Sequence, residues 1–268
     1  MTAQQGDFND PLILAIETSG RLGSVALAQG TRLLGERHFT GRMRHSAEVF
    51  PAIVGLLGQF SRKPNQIEQV YISIGPGSFT GLRIAVTIAK TIALARQSAR
   101  RTKIVAVDTL DCIAANVINF TSAQLKTQNS TLKANERLAV ILDAKRGQFF
   151  VAVYEKTQDA LRTTHDAIWQ KILPDCLITA DEFLGRFTDK PTCGERSRTI
   201  ALVGEGLVFY KDKFARPGVR VLDEKYWNPS AANVHQLGWQ MASRDQFSDP
   251  LALTPNYLRG PDAKLKQI

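Results

Sequence analysis

Leu12–Ala28 reads LILAIETSGRLGSVALA, and Leu138–Tyr154 reads LAVILDAKRGQFFVAVY. Each is a strand-length apolar run ending in an acid, then a glycine-containing turn, then a second apolar run. The acids are Glu17 and Asp143. Short apolar runs bounded by turn residues read as paired strands, so each segment predicts a hairpin. Their likeness predicts two related halves that open on the same hairpin. After the first, Gln29-Gly30 marks a tight turn and Thr31–Phe39 a third strand, which completes a meander.

Helices and strands then alternate, the pattern of an α/β protein. Ser46–Phe60 predicts a helix with Val49, Ile53, Leu56 and Phe60 at helical spacing and Phe50, Val54 and Leu57 as an adjacent stripe. Pro51 inside it predicts a kink or an early turn. Gln69–Ile74 reads as a strand, Gly75–Gly81 as a loop and Leu82–Arg96 as a helix. Lys103–Val107 reads as a strand and Thr109–Phe120 as a helix. The polar, aperiodic Thr121–Asn135 reads as a linker. The expected division is therefore residues 1–118 and 119–268, with the last segment packing back on the first half. Later in the chain, Phe183–Arg198 reads as a loop, Thr199–Val203 as a strand and Ala231–Ser243 as a helix.

The 268 residues are 44% hydrophobic, enough for a substantial core. The formal charge is +9, from 34 basic and 25 acidic residues. Such a balance suits contact with nucleic acid or an acidic protein, and equally suits a solvated basic face. Arg96, Arg100, Arg101, Lys103, Lys264 and Lys266 are its candidate contributors to nucleic-acid contact. Cys112, Cys176 and Cys193 form no C-x-x-C pair and are an odd number, which argues against a disulfide framework or a zinc cluster. The N-terminus has no basic region ahead of an apolar core, and the apolar stretch Ile84–Ala95, interrupted by Lys90, is too short for a bilayer. No membrane contact and a cytoplasmic location are expected.

The most specific segment is Gly75-Pro76-Gly77-Ser78-Phe79-Thr80-Gly81-Leu82-Arg83, joining a predicted strand to a predicted helix. It is neither a G-x-x-x-x-G-K-[ST] loop nor a G-x-G-x-x-G fingerprint. Gly75, Gly77, Ser78 and Gly81 are candidates for an anion cradle at the helix N-terminus, or for a tight structural joint. Glu17 and Asp143 could face one another across a cleft and hold Mg²⁺ through water, or be plain turn residues. His38, His45, His165 and His235 show no metal-ligand spacing, and no G-x-S-x-G elbow occurs. No catalytic set, resident metal or cofactor is expected.

Six segments carry a resemblance. They are ILAIETSGRLGSVALA, RHSAEVFPAI, ISIGPGSFTGLRIAVTIAKTIALA, VDTLDCIAANV, LDAKRGQFFVAVY and PNYLR, in that order between Ile13 and Arg259. Together they resemble the TsaB, or YeaZ, family. The resemblance implies the actin-like ATPase fold, two ribonuclease-H-like α/β halves. It implies a non-catalytic scaffold that binds TsaD as a heterodimer. With TsaE in a larger complex, the pair attaches threonylcarbamoyl to the adenosine beside the anticodon of ANN-decoding tRNAs. TsaD needs closely spaced histidines for its metal, and His45 has no second histidine near it. Glu17, where many TsaB sequences carry Asp, resembles the TsaD version of the strand. Residues 155–198 match little.

The two predicted helices after the meander and after the glycine loop offer surplus apolar surface, and small Ala residues let helices approach closely. Val49, Ile53, Leu56, Phe60, Ala85, Ile88, Ala89 and Ile92 are the expected partner interface, which a homodimer of the lone protein would share. The alternative function is an independent ATP-dependent kinase or ATPase of the actin-like fold, using Gly75–Gly81 and the two acids.

Overall fold

The computed structural model describes residues 10–41, 45–95, 101–118, 132, 136–156, 169–188 and 199–259. Among the described residues ten strands form two sheets. The first half contributes β1 (Leu12–Glu17), β2 (Ser24–Gln29), β3 (Arg32–His38), β4 (Ile67–Gly75) and β5 (Lys103–Asp108). The second contributes β6 (Arg137–Asp143), β7 (Gln148–Lys156), β8 (Trp169–Thr179), β9 (Ile200–Val203) and β10 (Val219–Val221). The helices are α1 (His45–Gln59), α2 (Phe79–Ala95), α3 (Thr109–Ala114), α4 (Ala180–Phe187), α5 (Leu207–Tyr210) and α6 (Ala231–Ala242).

The strand orders are β3-β2-β1-β4-β5 and β8-β7-β6-β9-β10. Strand for strand the halves match: β1 with β6, β2 with β7, β4 with β9. In each, the opening hairpin is antiparallel and the next two pairings are parallel. The repeated sequence pattern thus becomes a repeated topology, that of the actin-like ATPase fold with two related α/β halves. Glu17 pairs with Ser24 and Asp143 with Phe149, so the two acids occupy equivalent ends of equivalent strands.

Both faces of the first sheet are covered, which explains why β1 and β2 read as unbroken apolar runs rather than as alternation. One face, with Leu14, Ile16, Val25 and Leu27, packs under α1 and α2. The other, with Ile13, Ala15, Ala26 and Tyr71, packs under α3 and α6. The ring of Tyr71 lies so near α6 that a Cβ at Gly238 would stand 2.5 Å from it. Residues near the end of the chain thus complete the core of its beginning. Ser24 Oγ accepts from Ala231 N (2.8 Å) and Glu36 Oε1 from Ala232 N (3.1 Å), satisfying amides that α6 cannot pair internally.

Several sequence expectations need correction. Pro51 does not break α1, which runs on to Gln59 with Pro51 on its exposed side. Helix α2 begins at Phe79, three residues before the expected start. Phe183–Arg198 is not a loop throughout, since Ala180–Phe187 is helical. Thr179 caps it, accepting from Glu182 N (3.3 Å) while Glu182 returns a carboxylate to Thr179 N (2.8 Å). Strands β8 and β10 were not anticipated. The expected helix Thr109–Phe120 is shorter than expected, since α3 ends at Ala114 and residues 115–117 form a turn; the linker reading of 121–135 falls outside the described residues, apart from Leu132. Among the described residues no helix is long and apolar enough to cross a membrane.

Candidate functional site

Between the two sheets lies a cleft of about 520 Å³. The β1–β2 turn and the glycine loop wall one side, and the β6–β7 turn and Glu205 the other. The tail around Tyr257 crosses it.

The glycine loop is held by protein backbone. Ser78 N donates to Ser19 O (2.7 Å), and Thr18 Oγ1 donates to Gly81 O (2.7 Å). A Cβ on Gly77 would lie 2.6 Å from Ser19 O, and one on Gly81 would overlap the Thr18 carbonyl. Gly75, at φ +119°, would press a Cβ to 2.7 Å from Asn256 O. Each glycine is needed because another chain segment lies against it. Ser78 closes the turn by accepting from Gly81 N (3.3 Å). The four cradle candidates form a joint that locks the loop to the β1–β2 turn.

The two acids do not share a metal-like setting. Glu17 is completely buried, and its Oε1 accepts from both N and Oγ of Ser19 at 2.5 Å. Its Oε2 has no partner. The Ser73 hydroxyl sits beside the same carboxyl and favours its charged form, yet falls outside hydrogen-bonding geometry. Burial dominates and raises the Glu17 pKa. Asp143 lines the cleft and is engaged by Lys145, through N (2.8 Å) and Nζ (2.9 Å). Among the described residues no group of three His, Cys, Asp or Glu could hold a metal ion.

Among the described residues, one link ties the halves across the cleft and another ties the tail to the β6–β7 turn. Arg21 N donates to Glu205 Oε2 (3.3 Å), with the guanidinium 3.6 Å from the same oxygen. Burial raises the Glu205 pKa, opposed by Arg21. Arg259 donates to the carbonyls of Ala144 and Lys145 on the β6–β7 turn. Elsewhere, Lys171 from the second half meets Asp111 (2.7 Å) and Asp108 (3.6 Å) from the first, and Asp175 (2.7 Å) of its own strand. Burial pushes Asp175 up to about 6 despite the neighbouring ammonium.

His45 is structural: its Nε2 lies 2.9 Å from Gly20 O, and burial lowers its pKa. His235 plays the same part against Gly30 O at 2.8 Å. Cys112 and Cys176 are free thiols. Of the basic residues considered for tRNA contact, Arg101 is exposed and Lys103 stacks on Phe247 at 4.2 Å. Arg96, Arg100, Lys264 and Lys266 lie outside the described residues.

The expected partner stripe is where the sequence reading and the structure part. Val49, Ile53, Leu56, Ala85, Ile88 and Ala89 are buried in the chain's own core, and Phe60 and Ile92 are half-buried against it. Helix α1 instead turns Phe50 (59% exposed) and Val54 (66%) outward, with Gly58 one turn on, while α2 exposes Leu94 (56%). Both stripes have helical spacing, so periodicity alone could not say which one meets the sheet.

Residues 40–191, more than half the chain, match a family model described as TsaD, tRNA N6-adenosine threonylcarbamoyltransferase. The tRNA threonylcarbamoyladenosine biosynthesis protein TsaB of Bacillus subtilis (strain 168) is 26% identical over 259 residues, covering 96% of this chain and 97% of its own. The Escherichia coli (strain K12) protein of the same name is 26% identical over 247 residues, covering 92% of this chain and 94% of its own. The solved structure of YeaZ from Pseudomonas aeruginosa superposes with a TM-score of 0.67 at 19% identity, covering 92% of this chain and 99% of its own. The chain belongs to the TsaD family, and its likeness within that family is to the proteins called TsaB or YeaZ.

Proposed function

We propose that this chain is a non-catalytic subunit in the synthesis of threonylcarbamoyladenosine in tRNA, and that it acts by holding TsaD. The observation that carries the reading is the outer face of α1. Phe50 and Val54 stand in solvent one turn apart, beside the small Gly58. Large apolar side chains grouped on a helix surface favour association, and a glycine next to them allows close helix approach. The relatives' names place them in the same biosynthesis.

The cleft supports the non-catalytic part. A phosphate cradle needs free amides and open space over the glycines. Here Ser78 N is already bonded and the glycines are packed on backbone. We take the working division as residues 1–118 and 119–268, with TsaE and tRNA reached through the TsaD complex in the cytoplasm. A homodimer of the lone chain would use the same helices.

The test is calorimetric binding of TsaD to folded Phe50→Asp and Val54→Asp variants. Both should lose binding while keeping the wild-type circular dichroism. Charged residues at Ile53 or Ile88, only 8% and 5% exposed, should instead unfold the chain. Wild-type affinity in both surface variants refutes the surface, and stoichiometric Mg²⁺-dependent ATP binding by the lone chain refutes the scaffold reading.

A further inference from the structure

No single stretch of the sequence interleaves aromatic and basic residues, but the cleft and its rim assemble such a surface from five separate segments. Phe79 opens α2 and Tyr257 lies in the tail, their ring centroids 5.0 Å apart and tilted by 33°. The Arg83 guanidinium stacks 3.8 Å over Phe79, and its Nε donates to Tyr257 Oη (3.1 Å). On the same side as Phe79, Arg21 of the β1–β2 turn lies 4.7 Å over the ring of Phe209 from α5, which is 64% exposed. Lys145 and Arg259 line the space between.

We propose that this cleft receives an unpaired nucleotide of an RNA, its base against the Phe79–Tyr257 pair and its flanking phosphates on Arg21, Lys145 and Arg259. Three observations support that ligand over others. The cleft volume, about 520 Å³, suits one nucleotide and not a helix. Among the described lining residues Arg21, Lys145 and Arg259 face two carboxylates, Asp143 and Glu205, and Arg83 adds a cation behind Phe79, so the site favours an anion. Aromatic rings beside cations form the stacking platforms on which single strands are held, and a paired base cannot offer its face to them. A free nucleoside triphosphate fits less well, because its clustered phosphates need a backbone cradle and the Ser78 amide is turned to Ser19 O. Phosphates strung along a strand can be met one by one by side chains. The inference takes from the proposed function only that the complex handles a tRNA.

The experiment uses the full chain, with fluorescence anisotropy of a short labelled single-stranded RNA and of a fully paired hairpin of the same composition. The single strand should bind more tightly. Tyr257→Ala and Phe209→Ala should each weaken it roughly tenfold, and Lys145→Glu should flatten the salt dependence. Both aromatic rings are exposed enough that the variants should fold, which circular dichroism checks. Equal binding of the two RNAs, or wild-type affinity in both aromatic variants, overturns the proposal. So does displacement of the RNA by stoichiometric ATP, which would make the cleft a free-nucleotide site. Phe50→Asp lies outside the cleft and should bind RNA normally. Indifference of RNA to the cleft variants therefore leaves the TsaD reading standing, and failure of the Phe50 test leaves this one standing.

Discussion

Replacing Gly81 with alanine puts a methyl group where the Thr18 carbonyl already is. The new carbon would overlap that oxygen and stand 2.9 Å from its carbon. Ordinary contact is roughly 3.5 Å, so the loop and the β1–β2 turn must part. Overpacking of this kind typically costs about 1–3 kcal/mol. Parting also strains two bonds at 2.7 Å, Thr18 Oγ1 to Gly81 O and Ser78 N to Ser19 O. Leaving one buried group unsatisfied adds about 1–3 kcal/mol. A loss of about 2–6 kcal/mol follows, and at roughly 2–4 °C per kcal/mol the melting temperature should fall on the order of 10 °C. Gly58→Ala is the control. No atom lies within 4 Å of its Cβ position. Alanine in a helix interior should add about 0.5–1 kcal/mol of stability. Differential scanning calorimetry of both variants is the assay. If Gly81→Ala melts within about 2 °C of wild type, the loop is not locked by backbone packing, and the cradle reading regains its ground.

Three further outcomes follow from the buried charges and the outer helix. Because burial raises the Glu17 pKa, its stabilising contribution is complete below the unfolded value near 4.5 and is lost as pH rises through the folded value. Glu17→Gln, neutral at every pH, should therefore gain relative to wild type as pH rises above about 4.5, by about 1.4 kcal/mol for each pH unit between the unfolded and the folded pKa, and level off above the folded value; denaturant midpoints that shift alike in both proteins contradict this. Lys171→Met leaves Asp108, Asp111 and Asp175 without their cation and should cost about 3–5 kcal/mol at pH 8. The loss should shrink at pH 5, where Asp175, already near 6 in the native chain, takes up a proton; a pH-independent loss in urea titrations counts against the cluster. Phe50→Asp and Val54→Asp should keep the native melting temperature within about 2 °C, since surface changes are usually within about 0.5 kcal/mol.

The repeat of Leu12–Ala28 in Leu138–Tyr154 carried the fold, because a sheet buried on both faces writes itself as continuous apolar runs. Strand β8 escaped notice because it alternates half-buried with exposed residues and contains Pro174, which reads as a breaker. Helix α4 has a legible start signal, Thr179-x-x-Glu182, which lies just ahead of the polar stretch Phe183–Arg198 whose glycines and proline read as a loop. The site was harder. Helix α1 has two stripes of equal periodicity, and only the sheet beneath decides that Ile53 goes in and Val54 out. The cleft could not be read at all, since Arg21, Phe79, Lys145 and Tyr257 are neighbours only after both halves and the tail have come together.

The return of α6 to the first sheet bears on how the chain is made. The cover that α3 begins over Ile13, Ala15, Ala26 and Tyr71 is complete only when Ala231, Val234 and Leu237 arrive. The chain emerges from the ribosome at roughly 5–20 residues per second, N-terminus first. One face of the first sheet is thus exposed to water for some ten seconds or more after its strands can pair. The second half, whose sheet is complete by Val221, can finish before the first. A nascent chain stalled before residue 231 should bind hydrophobic-surface chaperones through the Tyr71 face, and release them once α6 has cleared the exit tunnel.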